Sequence, residues 1–307
     1  MRMILICFLA KTEWSERKFA VDLIVDLLKD ALMDTLKMLP FLFGAYLLME
    51  YLEHHSSGRM ERLLAASNKS GPVTGALLGC VPQCGFSVAA ANLYCGHIIT
   101  PGTLLAVFFS TSDEAVPLLL ASPGGLPVLL RLMAWKVALG AALGLGVDAF
   151  LRSRGKLSWG RDQEAMEELC EDCHCEEQGV LRSALHHTGE IFVFLFLTTL
   201  VLGGVLEIIG EERLSMVLME GSIFQPALAG IIGLIPNCGA SVLLTRLLMD
   251  GTLSFGAALA GLSTNAGVGL LVLFRVGRRH TTRNLQLMGV LYLAAVVCGI
   301  LLQTAGV

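Results

Sequence analysis

Charge is what this chain has least of. Asp, Glu, Lys and Arg make up 16% of its 307 residues, against about 25% in ordinary soluble domains. The charge present nearly balances: 22 Lys and Arg against 26 Asp and Glu leave a net of −4. With no basic excess there is no electrostatic footprint for nucleic acid. Alternating apolar and polar runs are also missing, which disfavours a membrane β-barrel. A GxxxxGK[ST] phosphate loop is absent, since Gly155-Lys156 lacks that context, so ATP coupling within the chain is not expected. No cleavable leader is expected either: the apolar stretch Met3 to Ala10 is short, and the charged Lys11 to Lys18 that follows has no small-residue cleavage site. Finally, there is no even cysteine framework. Cys7, Cys80, Cys84, Cys95, Cys170, Cys173, Cys175, Cys238 and Cys298 are odd in number and lie mostly in apolar segments or in one acidic loop. They suit thiols or metal ligands better than disulfides.

What the chain has in excess is apolar surface: 54% hydrophobic residues and a mean hydropathy of +0.69. A soluble protein of this length could not hide that much, so an all-α polytopic membrane protein is expected. Eight apolar segments are long enough to be candidate spans: about 35–53, 72–95, 100–121, 125–150, 188–210, 225–249, 253–275 and 284–305. Residues 1–34 form a lead-in, amphipathic over 17–34, with Phe19, Leu23, Leu27 and Ala31 on one side. A first membrane repeat then covers 35–150, an acidic Cys/His loop 151–187, and a second repeat 188–307.

The repeat is read by shifting the chain by 154 residues. Pro72, Gly79, Pro82, Cys84, Gly85, Ser87, Val88, Leu93, Gly102, Leu105 and Ala106 then meet identical residues. These are eleven identities in the 35 ungapped positions 72–106, where biased composition alone gives about three or four. Equivalent loops carry opposite charge. Loop 54–71 has Arg59, Arg62 and Lys69, while its partner 211–224 has Glu211, Glu212 and Glu220; loop 122–127 is uncharged, while 275–283 has Arg275, Arg278, Arg279 and Arg283. Under the positive-inside rule such loops lie on opposite sides, so the halves are expected to be inverted copies, an architecture of secondary transporters. Loops 54–71, 151–187 and 275–283 are then cytoplasmic. Inversion needs an odd number of crossings per half, so one segment of each four must not cross simply. Segments 72–95 and 225–249 are expected to be re-entrant or broken, each interrupted by Pro and Gly at Val81-Pro82-Gln83-Cys84-Gly85 and Ile235-Pro236-Asn237-Cys238-Gly239.

Two breaks at equivalent positions point to a substrate site between them, because exposed backbone at membrane depth must line a cavity or pack in protein. Gln83, Cys84, Asn237 and Cys238 would offer amide oxygens and thiols there; the bland alternative is a pair of packing kinks with inert cysteines. A second constellation, Ser110-Thr111-Ser112-Asp113-Glu114, puts two acids and three hydroxyls inside an apolar span and suits a hard cation. Its second-half equivalent, beginning Thr264-Asn265, is polar but uncharged. The acids could instead pair with Arg131 or Lys136, and Lys136 could compete with a cation for them. Glu50, Glu53 and His54 could form an entry site or merely end a helix at the headgroups, Glu50 and His54 sharing a helical face. In the loop, Cys170, Cys173, His174 and Cys175 form a metal-ligand cluster set among acids, or an incidental one in a solvated linker. Cys170 to His174 also spells the CxxCH of haem attachment, but a loop placed inside by Arg152, Arg154 and Lys156 and lacking an obvious second axial ligand argues against haem.

The paired Pro–Cys–Gly breaks, the Ser110 to Pro117 stretch and the ligand-rich central loop resemble bacterial polytopic permeases known as arsenic efflux proteins or manganese transporters. The resemblance covers most of residues 32–305. It implies export of a heavy-metal ion or metalloid across the bacterial cytoplasmic membrane, by a non-enzymatic protein of about ten spans with no tightly bound cofactor.

Oxygen ligands favour Mn²⁺, and thiols favour trivalent arsenic; the acids tip the expectation toward a divalent cation. Proton exchange at Asp113 or Glu114 would be the driver. Membrane lipids surround the chain, and no nucleic-acid partner is expected. Two rivals remain: a thiol oxidoreductase using Cys80 and Cys84, and a metal sensor. Leu234 stands where the repeat would need a second Cys80, which argues for ligation rather than redox exchange.

Overall fold

The computed structural model describes residues 70–82, 85–112, 115–155, 180–209 and 222–306, with single positions between 25 and 47. Among these there are helices and no strands. In chain order they are α1 (Gly71–Gly79), α2 (Gly85–Cys95), α3 (Pro101–Ser110), α4 (Ala115–Ala121), α5 (Gly125–Ser153), α6 (Val180–Ile209), α7 (Gln225–Gly233), α8 (Cys238–Met249), α9 (Phe255–Thr264), α10 (Gly269–Val276) and α11 (Thr281–Thr304). The sequence offset reappears in these bounds. Adding 154 to the limits of α1 gives α7, and adding it to those of α3 gives α9, residue for residue.

Local chemistry explains where four of these helices start. Pro72 and Pro226 sit in the first turns of α1 and α7, where no N–H is needed. Thr100 caps α3 by accepting from Thr103 N at 3.1 Å, and Ser254 caps α9 by accepting from Ala257 N at 3.2 Å. The turns that precede these caps share a left-handed residue at the same repeat position, His97 with φ 54° and Gly251 with φ 76°.

Four segments among the described residues are long and apolar enough to cross a membrane: Pro101–Ala121, Gly125–Ser153, Phe255–Val276 and Thr281–Thr304. The chain is therefore an all-α polytopic membrane protein. As expected, segments 72–95 and 225–249 are each interrupted, after Gly79 and after Gly233. The spans 100–121 and 253–275, read from sequence as continuous, are also broken, after Ser110 and after Thr264. Pro117 supplies one reason: it cannot donate to the carbonyl four residues back, so a regular helix cannot run through that turn.

Packing fixes the direction of each piece. A side chain at Gly71 would strike Thr103, one at Gly75 would meet Thr103 and Val107, and one at Gly79 would strike Val107 and Ser110. Helices α1 and α3 therefore run side by side in the same direction. Helix α2 returns from the tip of α1 to the start of α3, so α1 and α2 form a helical hairpin. The second half repeats this, with Gly233 against Gly261 and Thr264 and with Gln225 bonded to Thr252 and Ser254. Long helices back both: Gly102 packs on Gly144 of α5, and Gly256 packs on Gly299 of α11. Such glycines let backbones approach closely where van der Waals packing drives helix association.

Contacts between the halves are crossed. Helix α10 lies along α2, with Gly269 against Ser87 and Gly277 against Cys95, while the end of α4 meets the end of α8 through Ser122 Oγ and Met249 Sδ at 3.4 Å. Arg131 of α5 stacks on Phe255 at 4.8 Å. The end of α5 and the start of α11 line one cleft, with Arg154 and Arg283 on its walls.

Candidate functional site

The broken helices α3 and α9 end in the protein interior, where their last carbonyls need partners. Ser110 is the last residue of α3, Thr111 and Ser112 follow it, and all three are buried. Their hydroxyls donate back into the chain: Ser110 Oγ to Ala106 O at 2.8 Å, Thr111 Oγ1 to Val107 O at 2.8 Å, and Ser112 Oγ to Ser110 O at 3.4 Å. Donation of the proton leaves each hydroxyl oxygen able to accept or to ligate. On the other side, Thr264 Oγ1 lies 2.9 Å from both Gly230 O and Gly261 O, tying α9 to α7. Asn265 accepts from Gly267 N at 3.0 Å through Oδ1, and Asn237 accepts from Gly239 N at 2.7 Å as the N-cap of α8. Those two amide oxygens shape the breaks they occupy. Ser263 Oγ is buried with no hydrogen-bond partner in the structure.

Lys136 joins the two tips. Its side chain is 0% exposed, and Nζ donates to Thr111 O, just past α3, and to Leu262 O of α9 at 2.8 Å. A charged side chain in the middle of a membrane span costs about 3 kcal/mol. Two carbonyls at the negative ends of two helix dipoles offset that cost, and each charge-assisted bond is stronger than a neutral one. Half-buried Cys80, just beyond α1, lies close enough for the Lys136 charge to act on its thiol.

The structure thus brings Ser110, Thr111, Ser112, Thr264 and Asn265 to the helix ends around Lys136 and sets Asn237 at the partner break. Gln83, Cys84, Asp113 and Glu114 lie outside the described residues, as do Glu50, Glu53 and His54 and the loop residues Cys170, Cys173, His174 and Cys175. Cys238 opens α8. Among the described residues no three His, Cys, Asp or Glu side chains gather to hold a metal.

A buried anchor that sequence reading missed is Asp148 of α5. Its carboxylate accepts from Thr100 Oγ1 at 2.6 Å and from Gly102 N at 2.9 Å, at the positive end of α3. An acid near the end of a long apolar run was a signal, but its partners are 46 and 48 residues away in sequence.

Compared with known proteins, the chain matches, over residues 20–211, the model of the ArsP_2 family, described as "Putative, 10TM heavy-metal exporter". The match covers more than half of the chain, so the protein belongs to this family. No curated protein and no solved structure matches it.

Proposed function

We propose that this member of a heavy-metal exporter family is a secondary transporter of the cytoplasmic membrane whose two halves are inverted copies rocking about a central ion site. The observation that carries this reading is the meeting of two broken-helix tips, one from each half, at Lys136. Interrupted helices with opposed ends at mid-membrane are how transporters present carbonyls to an ion.

The contacts support inversion. If 101–121 and 255–276 each cross the bilayer, α2 and α10, packed along each other, put Cys95 and Gly277 at one face. The start of α3 and the shared cleft of α5 and α11 join them there. Ser122, Met249 and Phe255 gather at the other face. Repeat-equivalent positions then lie on opposite faces, and Gly71 at the start of α1 shares one with 275–283; the basic residues in sequence segments 54–71 and 275–283 make that face cytoplasmic under the positive-inside rule. Cysteines introduced at Arg154 and Gly251, in a background without native cysteines, should react with an impermeant maleimide from opposite compartments. Reaction from the same compartment would sink the inverted scheme.

The preferred cargo is a divalent cation such as Mn²⁺, held by Asp113 and Glu114 with the hydroxyls of Ser110, Thr111 and Ser112. Arsenite or an organoarsenical is the second reading, favoured by the Cys80 thiol beside the centre. Cells with and without the protein should be compared for sensitivity to Mn²⁺, Zn²⁺, arsenite and a trivalent methylarsenical. Protection against Mn²⁺ that is lost in Asp113→Asn and Glu114→Gln is the expected result. Protection against arsenicals alone, unchanged in both variants, would reject the divalent cation for the second reading.

A further inference from the structure

We infer that the cleft between the end of α5 and the start of α11 is a binding site for an anionic phospholipid, whose phosphate sits between Arg154 and Arg283. The site is separate from the ion centre, and its occupancy does not depend on what is exported. Its volume is about 580 Å³, within the range of about 300–1,000 Å³ typical of small-ligand sites. Phe150, Leu151 and Arg154 line it from the end of α5, and Thr282, Arg283 and Gln286 from the start of α11. Both helices are long and apolar enough to cross a membrane. The cleft therefore lies at headgroup depth, with one wall from each repeat.

Its polarity fits an anion. Among the described residues that line it there are two guanidiniums and no acid. Arg154 stacks on Phe150 at 5.0 Å and Arg283 on Tyr94 at 5.9 Å. A neutral ring steadies a guanidinium without cancelling its charge, and the planar fork suits phosphate oxygens. The helix ends do not decide the sign, since α5 brings its negative end and α11 its positive end. The Thr282 hydroxyl and the Gln286 amide add neutral donors.

Apolar surface argues for a lipid rather than a soluble phosphate. Phe150 and Leu151 put hydrocarbon beside the guanidiniums. Beyond Gln286 the same face of α11 carries Val290, Leu293, Val297 and Leu301, all exposed, at spacings of three and four. An acyl chain can lie along that stripe, whereas a soluble anion gains nothing from it. The repeat supplies a contrast. Gly102 packs on Gly144 and Gly256 on Gly299, so α5 and α11 correspond with an offset of 155. Arg283 then meets Val128, and Gln286 meets Arg131, whose guanidinium is held on Phe255. The opposite face therefore lacks the guanidinium that Arg283 supplies here. The topology proposed above makes the face with the cleft cytoplasmic, and basic pockets between helices on that side suit anionic headgroups.

The test uses the full chain, purified in detergent and titrated with phosphatidylglycerol or with phosphatidylcholine of the same acyl chains, and counts bound lipid by native mass spectrometry. Wild type should hold phosphatidylglycerol in preference to phosphatidylcholine. Arg154→Gln and Arg283→Gln should each cut that preference about fivefold, and the double variant about twenty-five-fold. Arg131→Gln, on the opposite face, should leave it unchanged. Glycerophosphoglycerol, the soluble headgroup, should not displace the lipid. Equal retention of the two lipids by wild type overturns the site even if no variant folds. Preference kept in the double variant, or lost as far in Arg131→Gln, overturns it as well. Displacement by the soluble headgroup would mean that the phosphate held there is not a lipid's, and the proposal fails on that result too.

Discussion

At the start of α3, the carboxylate of Asp148 reaches across from α5 to hold Thr100 Oγ1 and Gly102 N. At the start of α9 the same task falls to an amide. Gln225 of α7 accepts from Ser254 N at 3.1 Å and donates to Thr252 O at 2.9 Å, while Gln303 stands where the offset of α11 places the counterpart of Asp148. The contrast recurs along the same helices, with Lys136 facing Leu291 and Arg131 facing Gln286 across the repeat. The two sets of helices thus differ in charge: α5 carries Arg131, Lys136, Asp148 and Arg152, whereas α11 carries Arg283 alone and α3 and α9 carry none. An ionisable group buried in a span is costly and defaults to a functional role. On the function proposed above, the first half would sense the cargo and the second half would be the frame against which it moves. Equal packing with unequal charge is a division that substitutions can break or sharpen.

The largest effects should be the symmetric ones. A Cβ at Gly102 would sit 2.2 Å from Gly144 O, and one at Gly256 would sit 2.2 Å from Gly299 O. Neither backbone can yield cheaply, so Gly102→Ala and Gly256→Ala should each cost about 3 kcal/mol. Both should show as a matching loss of folded, monodisperse protein in detergent. A severe loss in one half and tolerance in the other would mean that the shared packing is not what holds the two alike.

Much of this was legible in the sequence. The offset of 154, the interruptions near Pro82 and Pro236, and the helical class all follow from Pro, Gly and apolar spacing, which act locally. The breaks after Ser110 and Thr264 were less visible, because serine and threonine continue an apolar run in composition while bonding to their own backbone. Lys136 could be named as a competitor for the acids but not placed, since its partners come from α3 and α9 and depend on how three helices pack. Asp148 was hidden for another reason. The ungapped alignment stops at Ala106, and the offset grows by one residue before Gly144. Read at 154, Asp148 would face Leu302; read through the packed glycines, it faces Gln303.

That pairing gives the smaller, asymmetric test. Asp148→Leu removes a buried acceptor and leaves Thr100 Oγ1 and Gly102 N to find other partners, and charge-assisted bonds of this kind are worth about 2 kcal/mol. Gln303 makes a single bond, Nε2 to Ser222 O at 3.2 Å, and its Oε1 is buried without a partner. Gln303→Leu should therefore cost under about 1 kcal/mol, since it removes a poorly satisfied polar group together with one neutral bond. Thermal unfolding in detergent compares the two directly, and Asp148→Asn separates charge from shape by keeping an acceptor of the same size. If charge on the positive end of α3 matters, the asparagine variant should fall between wild type and leucine. If Asp148→Leu and Gln303→Leu cost the same, the charge at the first anchor is ornamental, and the case for unequal halves rests on Lys136 alone.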